Sequence, residues 1–208
     1  MSLTVKETGG EFYTVEAGMH QARCYGIIDI GTQDGIYGQK KQMVILWVLP
    51  ECLHTFNAEV GEEPAVLSRF FGASLNEKSN LRAVLQSWRG KPFTPEELAG
   101  FEMRTVLDAP CLLNVIHQEK DGNTRAQISS VSPIMKGQEV PASPLPAVYY
   151  EIEDLTGGDF NLLPNWLRKK IGDSMEFKAR NISVVDEYPT PEVTGTGPVT
   201  EEEDDVPF

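Results

Sequence analysis

The stretch LSRFFGASLNEKSNLRAVLQSWRG, from Leu67 to Gly90, changes its period half-way. Its first part, Leu67 to Ser74, is aromatic and short, which predicts a strand. From Leu81 the apolar residues recur as Leu81, Val84, Leu85 and Trp88, at i, i+3, i+4 and i+7. That spacing places them on one face of a helix. Ser74 and Glu77 read as a capping box at its start, and Gly90 is placed to end it. Phe70 and Phe71 are adjacent, so in a strand they face opposite ways and at most one is expected in a core.

What lies on either side decides which fold holds this handover. From Met19 to Thr32 the sequence alternates: Ala22, Cys24, Gly26, Ile28 and Ile30 share one face, and Gln21, Arg23, Tyr25, Ile27 and Asp29 the other. Period two predicts a strand. The Gly-rich GTQDGIYGQ that follows is a turn. Lys40 to Leu49 is a second strand, ended by Pro50. After the helix, Thr94-Pro95-Glu96-Glu97 is another capping box with proline at its first helical position. Cys111 to Glu119 and Thr124 to Ser132 are two strands joined by the tight turn KDGN. Three strands, a helix and a two-stranded hairpin predict a mainly β chain. The layout is that of a five-stranded OB-fold barrel with a helix between strands three and four.

The expected organisation is a flexible arm over 1–14, the barrel domain over 15–135 and a proline-rich linker over 136–145. An α/β appendage packed on the barrel follows over 146–185, then an acidic tail over 186–208. Within the appendage, Tyr149 to Glu153 predicts a short strand and LPNWLRKKIG, Leu163 to Gly172, a helix with basic residues in its last turn. Met175 to Val185 alternates weakly and predicts another strand. The tail is Pro, Gly, Thr and acids, which predicts disorder.

The formal charge is −13, with 31 acids and 18 bases. Eight of the acids and none of the bases lie between Asp186 and Phe208, leaving 23 acids against 18 bases before it, a net of −5. A local basic groove is compatible with that balance. The longest apolar run, MVILWVLP from Met43, is far shorter than the ~20 residues that cross a bilayer. No secretory signal is visible in the first ten residues. The three cysteines, Cys24, Cys52 and Cys111, are odd in number and widely spaced. They read as thiols of a reducing cytoplasm rather than a disulfide framework.

No sequence feature carries catalysis. Asp29, Asp34 and Glu51 lack the lysine that would complete a strand-borne nuclease site, and Asp34 sits in an Asp-Gly turn. His20, His54 and His117 have no nucleophile at a recognisable spacing, and no phosphate-binding glycine motif is present. No metal or cofactor is called for.

Binding has more support, because single strands bind barrels by base stacking on aromatics and phosphate contacts to Lys and Arg. The candidate residues are Arg23 and Tyr25 on the first strand, Tyr37, Lys40 and Lys41 at the first turn, Arg69 on the third strand, and Lys120 and Arg125 beside the last turn. Trp47 alternates with Met43, Ile45 and Leu49, which fits a core residue; a stacking platform is its second reading. Trp88 belongs to the core, and Lys78, Arg82 and Arg89 fall on the polar side of the helix.

The chain ends EEEDDVPF, Glu201 to Phe208: five carboxylates, then Val206, Pro207 and Phe208. A solvated acidic run accounts for the acids alone. Three apolar residues after them make a docking peptide, in which acids steer and the anchor fills a pocket. This tip, Asp204-Asp205-Val206-Pro207-Phe208, resembles the acidic tip of bacterial single-stranded DNA-binding proteins. ILWVLPE (Ile45–Glu51), SLNEKSNLRAVLQSWRG (Ser74–Gly90) and CLLNVIH (Cys111–His117) resemble the single-stranded DNA-binding proteins of tailed bacteriophages, over roughly residues 18–135. The resemblance implies an OB-fold that coats single-stranded DNA during replication and recombination in the host cytoplasm. It also implies a tip that recruits partner proteins. An adaptor without a grip on DNA is the alternative.

Overall fold

The computed structural model describes residues 13–35, 38–57, 61–120, 122–153 and 158–180. Three long strands open the described chain: β1 (Gly18–Gly35), β2 (Gly38–Asn57) and β3 (Gly61–Gly72). Two helices follow, α1 (Asn80–Arg89) and α2 (Pro95–Ala99), then a 3₁₀ turn at Met103–Val106. The hairpin β4 (Pro110–Lys120) and β5 (Asn123–Ser132) completes the main sheet. Its strand order is β3-β2-β1-β4-β5, antiparallel throughout. The two ends of this order approach each other, and Arg69 of β3 donates from Nη1 to the carbonyl of Ile128 on β5 at 3.3 Å. The sheet is thus a nearly closed barrel. A sixth strand, β6 (Val148–Tyr150), overlaps the short strand expected from Tyr149 and adds to β1 in parallel, so the main sheet has six strands rather than the five expected of the barrel.

Helix α1 plugs the barrel. Leu81, Val84, Leu85 and Trp88 are buried among Cys24, Ile45, Trp47, Leu113 and Val131, and Trp88 Nε1 donates to the Pro110 carbonyl at 3.0 Å. The helix begins later than its sequence implies. Ser79 precedes its first residue, and Ser74 instead accepts from the Asn76 N–H through its hydroxyl, forming a local turn that competes with a cap. Gly90 ends the helix in the left-handed conformation, φ 66°. At α2 the capping box of Thr94 and Glu97 is present with both bonds.

Strand β2 does not stop at Pro50. Its ladder with β3 skips between Leu49 and Leu53 and then resumes, and such an irregularity is where a strand tolerates a residue without an N–H. Strand β3 correspondingly starts at Gly61, well before Leu67.

The C-terminal segment builds a second core outside the barrel. Helices α3 (Gly158–Leu162), α4 (Asn165–Gly172) and α5 (Met175–Ala179) bring Phe160, Leu163, Leu167, Ile171 and Phe177 onto the outer face of β1, β2 and β3. Residues 175–179 are helical, not the predicted strand, because the Ser174 hydroxyl caps them by accepting from the Phe177 N–H at 3.2 Å. Both Phe70 and Phe71 are therefore buried, one in each core. No described helix is long and apolar enough to cross a membrane.

Candidate nucleic-acid interface

Strand β1 carries the first correction. Its ladder with β2 skips one residue between Cys24 and Gly26. A bulge of this kind reverses which side of a strand faces the core. Ala22 and Cys24 point into the barrel before it, and Ile27 does so after it. Tyr25 falls on the other side with Ile28 and Ile30, where the appendage buries it to 7% exposure. Tyr25 is thus a residue of the second core rather than an outward stacking platform.

Arg23 is also committed. Its Nε donates to the Pro141 carbonyl at 2.7 Å, Nη1 to the Asp108 carbonyl at 2.7 Å and Nη2 to the Val140 carbonyl at 3.0 Å. The Asp108 carboxylate adds an ion pair at 3.5 Å. Asp108 has a positive φ of 59°, unusual outside glycine. The fork of one guanidinium therefore ties β1 to a loop and to the proline-rich stretch after β5, which is not the solvated groove position expected of it. Trp47 is fully buried against Trp88 at 5.9 Å between ring centres, a core residue and not a platform. Arg69 lies at the barrel seam, with its guanidinium 5.3 Å from the Phe71 ring centre.

Three further candidates have described side chains. Lys41 is half-exposed and pairs with Asp29 at 2.9 Å. Hydrogen bonding to Asp29 is the main reason its ammonium is held above the ordinary lysine range, with Glu153 and Glu176 adding to it. Lys40 is half-buried across from Gln33 on β1. Arg125 is half-buried opposite Gln118, beside the pair Ile116 and Gln127, and its Nε has no partner. Lys120 ends β4, with its side chain outside the described residues. Tyr37 and the tip from Asp204 to Phe208 lie outside them as well. The seven barrel candidates whose side chains are described are therefore dispersed. Arg23, Tyr25, Trp47 and Arg69 hold the fold, and Lys40 and Lys41 stand at one hairpin while Arg125 stands at another.

The structure brings a different group together. On α4, Lys170 Nζ lies 5.9 Å from the ring centre of Phe70 on β3, and Phe70 meets Trp166 edge-on at 6.2 Å. The Lys170 carbonyl accepts from Gln33 Nε2 at 3.0 Å, and Gln33 is the partner of Lys40 in the ladder. Lys169 is exposed beside them. Trp166 is half-buried, whereas Trp47 and Trp88 are buried. Arg168, 2% exposed, bonds the Asn165 side chain and leaves Nε without a partner. The sequence signal was available in LPNWLRKKIG, where the bases were credited to the helix end alone.

Two clefts lie elsewhere. One, about 610 Å³, opens where β2 parts from β1 and is lined by Met19, Gln21, Glu51, Cys52, Leu112 and Met135. The other, about 470 Å³, lies beside Trp88, Arg89, Phe101 and Pro133. Arg89 is no solvated residue of the helix's polar side: it stacks on Phe93 and Phe101 and pairs with Glu97. Among the described residues no group of three or more His, Cys, Asp and Glu side chains is placed to hold a metal ion. Asp29 is occupied by Lys41 and by the Gly31 N–H. Burial pushes the Cys24 and Cys111 thiols up, which keeps them protonated. Compared with known proteins, the chain matches no family model and no curated protein.

Proposed function

We propose that this protein binds single-stranded DNA without sequence preference, and that its C-terminal tip recruits replication and recombination proteins. The observation that carries the reading is the strand order β3-β2-β1-β4-β5, with its ends meeting at Arg69 and Ile128 and α1 plugging the barrel between β3 and β4. That is the arrangement expected of an OB-type barrel, a scaffold suited to single strands. The resemblance of Ile45–Glu51, Ser74–Gly90 and Cys111–His117 to phage single-stranded DNA-binding proteins, and of Asp204–Phe208 to their bacterial counterparts' tip, supports the same reading.

One observation favours a second reading. The appendage covers the outer face of β1, β2 and β3, where an OB barrel takes its ligand. The second reading is an adaptor that docks partners without gripping DNA. Binding of labelled oligo-dT and of a duplex of equal length, each at low and high salt, separates the two. The proposed function expects oligo-dT to bind more tightly, with a log–log salt slope of about −0.7 per phosphate neutralised. Tighter binding to duplex, or no binding to oligo-dT at low salt, would overturn it, and the second of these is the adaptor's result.

A further inference from the structure

We propose that the single strand runs over α4 of the appendage, with Trp166 as a base-stacking platform and Lys169, Lys170 and Lys40 against the phosphates. The inference rests on the reading of the protein as a single-stranded DNA binder, and it moves the contact surface from the barrel to the segment that covers it.

Single strands need a base-stacking aromatic next to cations that follow the backbone. Most barrel aromatics nominated from sequence cannot serve, since Tyr25 and Trp47 are buried in opposite cores. Trp166 keeps contact with solvent and meets Phe70 edge-on, and Lys170 Nζ lies over the same Phe70 ring. The cations come from two elements fixed to each other. Gln33 Nε2 bonds both the Ile30 carbonyl of its own strand and the Lys170 carbonyl of α4, so the backbone at Lys170 is tied to the ladder position opposite Lys40. Buried Arg168 adds charge beneath them. Its bonded partner among the described residues is the neutral Asn165 side chain, and a cation screened little by water raises the potential at the surface above it.

Two acids near this surface are engaged by the fold. Glu176 accepts from the Thr32 N–H at 2.8 Å and the Thr32 hydroxyl at 2.7 Å, and Asp29 pairs with Lys41. Asp173 is exposed at the end of α4. The appendage is then part of the interface, and its packing over the barrel is no obstacle to binding.

The test uses the full chain and its own fluorescence. Trp47 and Trp88 are 0% and 5% exposed, so quenching on titration with oligo-dT reports on Trp166. The expected result is strong quenching that Trp166→Phe abolishes while binding persists in a gel shift. Trp166→Ala should weaken binding about 5- to 150-fold, the span of one lost stacked base. Lys169→Gln with Lys170→Gln should flatten the log–log salt slope by about 1.4, at ~0.7 for each lost phosphate contact. Binding without quenching, together with an unchanged slope in the double variant, would overturn this surface and leave the DNA-binding function standing. Failure of the parent chain to bind oligo-dT at all would overturn that function, and this inference with it.

Discussion

At the scale of single residues, the two first-strand positions that a periodic reading turns towards DNA are both structural. Arg23 holds three carbonyls and one carboxylate, and charge-assisted bonds of this kind contribute about 1.5–3 kcal/mol each before desolvation losses. Arg23→Ala is expected to lower stability by about 2–3 kcal/mol in urea unfolding. Arg23→Lys should recover only part, since an ammonium cannot reproduce the planar fork. Tyr25→Ala should cost about 3–5 kcal/mol as a cavity in the second core. A variant with an unchanged unfolding midpoint would place Tyr25 at the surface after all. Tyr13 offers a pH test. Burial, followed by the contact of its hydroxyl with Cys52 Sγ at 2.9 Å, pushes its phenol up to about 12. A raised acid favours the folded state fully below the ordinary tyrosine value of 10.0, and this contribution is lost as pH rises through about 12. The ultraviolet difference titration between parent and Tyr13→Phe should therefore show a late transition. Cys52→Ala should bring it earlier without restoring the ordinary value, because burial remains.

At the scale of elements, the junction between β1 and the appendage is fixed at Gly31. Its φ of +73° lies in the left-handed region, and a Cβ there would sit 2.7 Å from Glu176 Oε2 and 2.9 Å from Ser174 Cβ. Gly31→Ala is expected to cost about 2–4 kcal/mol, from ~1–2 of backbone strain and ~1–3 of overpacking. The loss should show as faster amide exchange over α5 and the residues just after β6 before the barrel opens, because the added Cβ clashes with Ser174, Glu176 and Ile152. Uniform loosening of the barrel would contradict this. The helices show how far local signals reach. The stripe of α1, its glycine stop and the cap of α2 are visible in the sequence because each depends on residues within one or two turns. The start of α1 is not, since Ser74 offers its hydroxyl to a turn that propensity alone does not weigh. Pro50 misleads for a related reason: proline ends a regular ladder, but β2 meets it at an irregularity.

At the scale of the whole molecule, the proposed function predicts two separable effects of the tip. Deleting Glu201 to Phe208 removes five carboxylates, so affinity for oligo-dT should rise or stay level, most visibly at low salt where screening is weak. Phe208→Ala keeps those charges and removes the anchor. It should bind DNA like the parent and lose replication and repair proteins from a bacterial-lysate pull-down. An identical captured set for both chains would leave the tip as a solubilising run.

The sequence by itself determined the five barrel strands and the two helices between the third and fourth of them. These follow from period, caps and composition, which act over a few residues. Only the tertiary structure decided which side of each strand is wet. Alternation assigns a strand one core face and one solvent face, and that holds only if no bulge shifts the phase and nothing covers the outside. Here a bulge after Cys24 shifts β1, and helices that start only at Gly158, far along the chain from β3, cover β1 to β3. The covering helices bury Tyr25 and Phe70, and loop carbonyls far along the chain hold Arg23. A residue's face is set by whatever packs against it, and packing partners distant in sequence leave no periodic mark.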